Sequence, residues 1–176
     1  QLYRWDRLEF LKSSYQKAVN ENYQLGVKLV RGAYMEKERL RAQEKNYTSP
    51  IQSNKENTDK DYNLALQFCI ENIEKIAFCA GTHNEDSSML LAKLIEEKGL
   101  ERNDSRIHFA QLLGMSDHIS YNIADANFNV AKYVPYGPVK EVLPYLIRRA
   151  EENTSVAGQT SRELSLIQKE RLRRKK

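Results

Sequence analysis

The chain has 176 residues, of which 40% are apolar and 30% charged, and its formal net charge is +4 at pH 7. This composition indicates a folded globular protein of about one domain and excludes an intrinsically disordered chain. There is no run of about 18 apolar residues and no signal peptide, so we expect a cytoplasmic protein without a membrane-spanning helix. The two cysteines, Cys69 and Cys79, lie in apolar segments, which favours buried, reduced thiols over a disulfide.

Along the chain, the hydrophobic pattern alternates between helices and strands. Helical periodicity occurs at residues 2–20, 35–46, 58–75, 85–98 and 162–175. A further helix is predicted to start at Pro138, where the missing N–H costs nothing. Four apolar runs are too short for helices and predict strands at residues 26–30, 76–80, 107–110 and 129–134. Residues 47–57 form the one extended loop, and the alternation predicts a parallel α/β sheet.

The number of strand–helix units narrows the fold class. No Gly-x-Gly-x-x-Gly motif follows a strand, so a Rossmann-type dinucleotide site is unsupported. A complete (βα)8 TIM-type barrel takes about 250 residues, and four units make about half of one. A partial (βα)8 TIM-type barrel is therefore the main alternative to an open parallel sheet. We expect a single domain, residues 1–176, in which residues 157–176 form a basic C-terminal helix or tail.

The basic tail has two interpretations. Cations near the C-terminus of a helix are favourable next to its negative pole, which fits a solvated helix end. A cluster of cations also suits contact with an anionic membrane or nucleic acid. Because no aromatic residues interleave the basic ones, the first interpretation is favoured and we expect no nucleic-acid binding.

In an α/β barrel, the reactive residues follow the strands at their carboxyl ends. Polar or aromatic side chains follow all four predicted strands, and glycines nearby would let a ligand approach the backbone. The segments concerned are residues 31–34, 81–84, 111–114 and 133–137. This pattern predicts a large, flat, partly polar ligand at this edge of the sheet.

Three cationic residues suggest that the ligand carries an anionic group. Lys28 lies inside an apolar strand, where an unpaired ammonium is costly, so we expect it to be directed into a site. Arg148 and Arg149 are adjacent on the helix that follows the last strand, and consecutive helix residues point about 100° apart. At least one of the two should therefore face the barrel mouth. Two guanidinium groups with planar, bidentate donors suit a carboxylate or a phosphate.

Other polar residues have local interpretations. Arg31 could be a surface cation that pairs with Glu36 or Glu38. The three histidines are not spaced as metal ligands, and neither a His-Glu-x-x-His nor a Cys-x-x-Cys motif occurs, so we expect no metal site.

Five motifs occur in one order along the chain. Residues 28–34 read Lys-Leu-Val-Arg-Gly-Ala-Tyr, 82–84 Thr-His-Asn, 111–115 Gln-Leu-Leu-Gly-Met, 133–137 Tyr-Val-Pro-Tyr-Gly, and 145–155 contain Arg-Arg and then Glu-Asn-Thr-Ser. Together they resemble the proline dehydrogenase family, the FAD-dependent first enzyme of proline catabolism, and within it the bacterial single-function members. The resemblance runs from Gln1 to about Ser155. It implies a distorted (βα)8 barrel with FAD at the strand ends and proline against the flavin.

The resemblance also implies a role for each matching residue. Lys28 would lie near the N5 edge of the flavin, while Arg148 and Arg149 would hold the proline carboxylate. Tyr133 and Leu112 would orient the proline ring, and a tyrosine at 133 would clash with a 4-hydroxyl group. The residues implied to contact the cofactor are Gln1, Lys28, Val30, Gly32, Ala33, Lys55, Thr82, His83, Asn84, Gln111, Leu112, Arg149, Glu152, Thr154 and Ser155.

The reaction so implied is oxidation of L-proline to Δ1-pyrroline-5-carboxylate, with hydride transfer to FAD and electrons passed to a membrane quinone. The protein would then be cytoplasmic, with peripheral contact at the inner face of the bacterial membrane. The family's substrate lysine and an acidic residue would lie upstream of Gln1, so we expect the C-terminal half of the catalytic domain. The open sheet edges of such a half barrel predict self-association. The alternatives are a hydroxyproline dehydrogenase, a silent half barrel acting as an interaction module, and a phosphate-binding barrel.

Overall fold

The computed structural model describes residues 1–155, 164–165, 168–169 and 171–174, and it describes residues 148–155 by their backbone alone. The chain separates into two compact units, Gln1–Tyr133 and Val134–Lys176. The expected basic tail at 157–176 lies largely outside the described residues. The sheet belongs entirely to the first unit.

Six helices and four strands occur in the described part of the chain. They are α1 (Arg7–Asn20), β1 (Leu25–Leu29), α2 (Met35–Glu44), α3 (Lys55–Glu71), β2 (Ile76–Gly81), α4 (Glu85–Glu97), β3 (Ile107–Leu112), α5 (Asp117–Asp125), β4 (Val130–Tyr133) and α6 (Val139–Ser155). The strands pair in the order β1-β2-β3-β4, and every pairing is parallel. This confirms the predicted parallel α/β architecture.

Alternate residues of each strand lie on opposite faces of the sheet, and the two faces differ in composition. One face, here called the helix face, buries apolar side chains such as Phe78 and Phe109 against Leu66 of α3 and Leu91 of α4. The other, called the mouth face, is more open. Its residues on β1 and β2 are Gly26, Lys28, Ala77, Cys79 and Gly81, and on β3 and β4 they are His108, Ala110, Leu112, Ala131 and Tyr133.

Strand β1 pairs with β2 on one side, and no named strand within the described residues lies on its other side. A groove runs along that open edge. Its lining includes Gln1, Leu2, Arg4, Arg7, Phe10 and residues 25–29. None of the described helices has both the length and the hydropathy to cross a bilayer.

The first helix begins later than its periodicity predicts. It starts at Arg7 instead of residue 2, because the chain before it lies beside the end of β1. The backbone N–H groups of Leu2 and Tyr3 donate to the carbonyls of Val30 and Arg31, each at 2.8 Å. This contact joins segments far apart in sequence, so no local pattern could reveal it.

Two other differences lie at helix starts. Helix α3 begins at Lys55, three residues earlier than predicted, because the Asn54 side chain caps it by accepting from the N–H of Asn57 at 2.8 Å. Helix α5 was not among the predicted helices. It has nine residues, and the residue before it, Ser116, has φ 52° and makes no capping hydrogen bond. The usual signal for the start of a helix, a side chain that caps its first turn, is therefore missing at α5.

Candidate functional site

The carboxyl ends of the four strands form an edge of the sheet at which several predicted site residues meet. The Lys28 side chain is exposed on the mouth face, and its Nζ lies 5.4 Å from the centroid of the Tyr133 ring. Lys28 belongs to β1 and Tyr133 to β4, which would lie about 14 Å apart in a flat sheet at the usual strand spacing. The two side chains therefore reach toward each other across β2 and β3.

Gly81 provides the space through which Lys28 reaches. A Cβ atom at this position would lie 3.0 Å from Cγ1 of Val30 and 3.3 Å from Cε of Lys28. Gly81 also shares a register row with Ala110 and Ala131 on the neighbouring strands. The row leaves a floor without large side chains between the lysine and the tyrosine.

Leu112 extends this part of the site. It is the register partner of Tyr133 and is half-buried on the mouth face. The side chains of these two residues thus form an apolar wall at the end of β3 and β4. Both were predicted to contact the substrate ring.

Cys79 is the register partner of Lys28 on the next strand. Burial raises the pKa of the Cys79 thiol, and the nearby Lys28 ammonium opposes this by lowering it. Because burial has the larger effect, the thiol is neutral at pH 7. Lys28 is therefore the cation in this row, without a thiolate to neutralise it.

Gly32 has a local structural role. Its φ of +127° disfavours other residues, and a Cβ there would overlap the ring of Tyr3, which is buried. The space beside Gly32 is thus occupied by the protein itself. The neighbouring Val30 and Ala33 are half-buried, and contact of these three residues with a cofactor stays a prediction.

Arg31 joins four segments of the chain through one guanidinium group. Its Nε donates to Oδ1 of Asp59 at 2.6 Å, its Nη1 to Oγ1 of Thr82 at 2.6 Å, and its Nη2 to Oγ of Ser87 at 2.9 Å. The guanidinium carbon lies 4.3 Å from the centroid of the Tyr62 ring. Arg31 thereby ties the end of β1 to α3, β2 and α4.

The interpretation of Arg31 as a partner of Glu36 or Glu38 was wrong. Glu36 pairs with Arg39 at 3.1 Å, and Glu38 lies 3.8 Å from Arg4. Both carboxylates follow Arg31 closely in sequence, whereas its true partner lies 28 residues away on α3. Closeness in sequence therefore did not identify the ion-pair partner of Arg31.

Lys55 is connected to this network at the first turn of α3. Its Nζ contacts Asp59, the carboxylate that also accepts from Arg31. Burial would raise the pKa of Asp59, but the hydrogen bonds from Lys55 and Arg31 outweigh burial and hold it below its ordinary value. The Lys55 side chain is 72% exposed, so its ammonium remains accessible to an anionic ligand.

The segment after β2 organises the start of α4. Oγ1 of the buried Thr82 accepts from the N–H of Asn84 at 3.1 Å. The Asn84 side chain in turn caps α4 by accepting from the N–H of Ser87 at 2.8 Å. His83, between them, has its Nδ1 3.0 Å from Oγ of Ser116. All three predicted cofactor contacts thus have hydrogen-bond partners within the protein.

Gln111 lies on the helix face and is 1% exposed. Its Nε2 donates to the Thr82 carbonyl at 3.2 Å, and its Oε1 accepts from Oγ of Ser120 at 3.0 Å. The amide thus links β3 to β2 and α5. Its predicted contact with a cofactor stays a prediction, and it lies on the face opposite Lys28.

The sequence interpretation missed Lys132, which precedes Tyr133 in β4. Its Nζ donates to the Met115 carbonyl at 2.7 Å and pairs with Oδ1 of Asp117 at 2.8 Å. The Leu112 carbonyl lies 3.5 Å away. A lysine inside an apolar run was the signal used for Lys28, and the same signal was present here.

Of the remaining predicted residues, the structure describes the side chain of Gln1 alone. Gln1 is exposed and lines the groove beside β1. The other five are on or at the end of α6, and their side chains lie outside the described residues: Arg148, Arg149, Glu152, Thr154 and Ser155.

A family model described as proline dehydrogenase matches residues 1–162. Human "Proline dehydrogenase 1, mitochondrial" is 43% identical over 99% of this chain, which covers 30% of that protein. The "Carbapenem antibiotics biosynthesis protein CarD" of Pectobacterium carotovorum subsp. carotovorum is 40% identical, with 44% of its length covered. A Xenopus laevis hydroxyproline dehydrogenase is 38% identical, with 38% covered. The chain thus spans less than half the length of each of these relatives.

Among solved structures, proline utilization A from Bdellovibrio bacteriovorus, inactivated by N-propargylglycine, superposes with a TM-score of 0.82. It is 29% identical over 89% of this chain, which corresponds to 16% of that protein. A bifunctional proline utilization A protein gives a TM-score of 0.78 at 26% identity. The four-stranded sheet and its helices thus match part of a TIM-barrel-like domain.

Proposed function

Because this chain belongs to the proline dehydrogenase family, we propose that the protein containing it oxidises L-proline to Δ1-pyrroline-5-carboxylate, with hydride transfer to FAD and electrons passed to a quinone. The observation that carries the proposal is the meeting of Lys28 and Tyr133, whose Nζ and ring centroid lie 5.4 Å apart. These are the residues that the family resemblance assigns to the flavin edge and to the proline ring. The fold brings them together from the two outer strands.

The residues of the mouth face fit a flavin. The row of Gly81, Ala110 and Ala131 leaves a floor without large side chains, as a flat ring system requires. The Lys28 side chain crosses the Gly81 end of this row and brings a positive charge toward Tyr133, which suits a ligand ring that gains negative charge when reduced. The chemistry supplied by bound FAD is the acceptance of a hydride, while the protein supplies binding, orientation and electrostatics.

The apolar wall of Leu112 and Tyr133 suits the other reactant. A pyrrolidine ring is apolar on its carbon edge, and contact with these two side chains would hold it in one orientation. The resemblance assigns the proline carboxylate to Arg148 and Arg149, whose paired guanidinium groups match its two oxygens. Fixing the carboxylate and the ring together would place the carbon next to the ring nitrogen against the cofactor.

The anionic part of FAD would bind in a second region, at the start of α3. Lys55 presents an exposed ammonium at the start of α3, and Arg31 links its partner Asp59 to the end of β2. A phosphate or ribose near Lys55 would gain a cation and a helix N-terminus. We propose this region for the anionic part of FAD. A quinone acceptor dissolves in the bilayer, so we also propose that the full-length protein is cytoplasmic and makes peripheral contact with the membrane.

A hydroxyproline dehydrogenase is the second candidate, because one of the similar proteins bears that name. Tyr133 distinguishes the two candidates, since its ring would clash with a 4-hydroxyl group on a proline ring packed against it. We expect the full-length protein to prefer L-proline over trans-4-hydroxy-L-proline. We expect Tyr133→Ser to reduce this preference about tenfold or more, because it removes the ring.

The experiment is a steady-state comparison of the purified, flavin-loaded full-length protein and Tyr133→Ser with both substrates. Tyr133→Phe is the matched control, since it keeps the ring and removes only the hydroxyl. Equal kcat/KM values of the wild type for the two substrates would contradict the choice of proline. Absence of flavin and of turnover in the wild type would contradict the enzymatic proposal altogether and favour an interaction module.

A further inference from the structure

We propose that Lys132 is a positioning residue for substrate binding: its ammonium fixes the loop between β3 and α5 and thereby sets the Leu112–Tyr133 wall. The inference rests on the proposed function, because that wall is where the proline ring is expected to bind. Lys132 does not touch the wall from the mouth side. It acts through the backbone from the helix face.

The Lys132 side chain points away from the mouth, since Tyr133 occupies the mouth face and neighbouring strand residues point in opposite directions. It is 23% exposed. An ammonium has three donors, and three oxygen atoms converge on this one. They belong to the carbonyls of Met115 and Leu112, at 2.7 and 3.5 Å, and to the carboxylate of Asp117, at 2.8 Å.

The loop that receives these contacts has an uncommon backbone. Gly114 has φ +76° and Ser116 has φ 52°, both in the left-handed region. Ser116 in that region is unfavourable for a residue with a Cβ atom, so surrounding contacts must hold it. Oγ of Ser116 lies 3.0 Å from Nδ1 of His83, and Lys132 holds the carbonyl of the residue before it. The loop is thus fixed from two sides.

The same loop is joined to both residues of the wall. The N–H of Leu113 donates to the Tyr133 carbonyl at 3.0 Å, and the N–H of Met115 donates to the Leu112 carbonyl at 3.1 Å. Lys132 therefore lies at the point where the ends of β3 and β4 are joined. Loss of its charge would release Met115 and Asp117 and allow the two strand ends to separate. The wall would widen without the loss of any residue that touches the substrate.

The expected consequence is specific to substrate binding. Lys132→Met keeps most of the stem and removes the charge, and we expect it to raise the KM for L-proline about tenfold. We expect kcat and the ratio of bound flavin to protein to change less than about twofold, because the floor and Lys28 are retained. Discrimination between L-proline and its 4-hydroxy derivative should also fall, since a wider wall excludes the hydroxyl less well.

A purely structural role predicts a different result. The Lys132–Asp117 pair would then contribute to stability alone, and the midpoint of unfolding would drop while KM and discrimination stayed at wild-type values. Lys93→Met is the matched control. Lys93 also pairs with a carboxylate, Glu97 at 3.4 Å, but on the exposed side of α4, where we expect no change in either kinetic constant.

The test measures KM, kcat, flavin content and substrate discrimination for the full-length, flavin-loaded protein and its variants. Asp117→Asn serves as the second variant, because its side chain is 54% exposed and its replacement does not endanger folding. It leaves the Met115 contact in place, so we expect a rise in KM of about threefold. If Lys132→Met does not fold, Asp117→Asn decides the question.

The inference is supported if KM rises in both variants with kcat retained, and it is overturned if KM in both equals that of Lys93→Met. A kcat that falls in parallel with flavin content would also overturn it. A wild-type protein that does not oxidise proline would overturn the proposed function and this inference with it. If the wild type oxidises proline but the variants have an unchanged KM, only the inference about Lys132 is overturned.

Discussion

Two lysines near the carboxyl ends of the outer strands have opposite surroundings. Lys28 on β1 is exposed on the mouth face, with its ammonium above the ring of Tyr133. Lys132 on β4 is half-buried on the helix face, where it binds the Met115 carbonyl and the Asp117 carboxylate. A lysine in an apolar strand is thus not by itself evidence of a ligand site. The face on which it lies decides whether its charge is available to a ligand or holds the backbone.

The contrast between the faces can be tested first where the effect should be largest. Phe109 on the helix face is 1% exposed and packs edge-to-face on Phe128, with ring centroids 5.5 Å apart. We expect Phe109→Ala to reduce the free energy of unfolding by about 3–5 kcal/mol, through lost burial and a cavity. Urea denaturation of the full-length protein measures this. Met89→Ala on α4, at a side chain 71% exposed, should cost less than about 0.5 kcal/mol.

On the mouth face, we expect a substitution to change activity and to leave stability almost unchanged. Lys28→Met should lower kcat for proline oxidation about 100-fold, because it removes the charge placed beside the reacting part of the cofactor. The free energy of unfolding should stay within about 0.5 kcal/mol of wild type, since the side chain is exposed. Paired kinetic and denaturation measurements check both statements. A large loss of stability would place Lys28 among the structural residues instead.

Arg31 lies between these extremes, as a charged group that joins segments at the site border. Arg31→Met should destabilise the protein by about 1–3 kcal/mol, because Asp59, Thr82 and Ser87 lose a charged donor. The folded-state pKa of Asp59 is depressed, so its stabilising contribution is present above its unfolded pKa and is lost as the pH falls through the folded value.

Because the pKa of Asp59 is lowered in the folded state, the effect of Arg31→Met on stability should depend on pH. The stability difference between wild type and Arg31→Met should be largest near neutral pH and should shrink below about pH 4, as Asp59 becomes protonated in both. Urea midpoints measured between pH 7 and pH 3 would reveal the trend. A difference independent of pH would assign the effect of Arg31 to its contacts with Thr82, Ser87 and Tyr62 instead of to Asp59.

The smallest expected effect concerns Gly81. A Cβ atom there would lie 3.0–3.3 Å from Val30, the Leu29 carbonyl oxygen and Lys28, so these groups must shift by a few tenths of an ångström, and we expect kcat/KM of Gly81→Ala to fall about threefold. Gly26→Ala is the matched control, because it also lies on the mouth face and a Cβ there has nothing within 4 Å. Equal kinetic constants for the two variants would show that Lys28 does not depend on the space at Gly81.

Much of the fold could be predicted from the sequence, because apolar runs mark buried strands directly. All four strands lie within two residues of their predicted bounds, and the fold class is confirmed. The errors occur where contacts between distant segments override local periodicity. The first helix starts late because Leu2 and Tyr3 bond to the end of β1, and α5 went unrecognised because Ser116 gives no capping signal.

The site residues also divide into those that could be predicted from the sequence and those that could not. Residue types at strand ends predicted a site at one edge of the sheet, since parallel strands bring their carboxyl ends together. The family resemblance assigned Lys28, Tyr133 and Leu112 to that site, and the structure brings Lys28 to Tyr133 and pairs Tyr133 with Leu112. The partners of charged residues could not be predicted in this way. Asp59 is 28 residues from Arg31, and Met115 is 17 residues from Lys132, so both pairs depend on the packed fold.

We propose that the mouth face, bordered by Lys28 and Tyr133, holds flavin and proline together. Anaerobic addition of L-proline to the purified full-length protein, with the flavin absorbance recorded in a stopped-flow instrument, tests this most directly. We expect rapid bleaching in the wild type and in Lys93→Met, and bleaching about 100-fold slower in Lys28→Met with equal flavin content. Flavin that proline does not bleach, or equal rates in all three proteins, would contradict it.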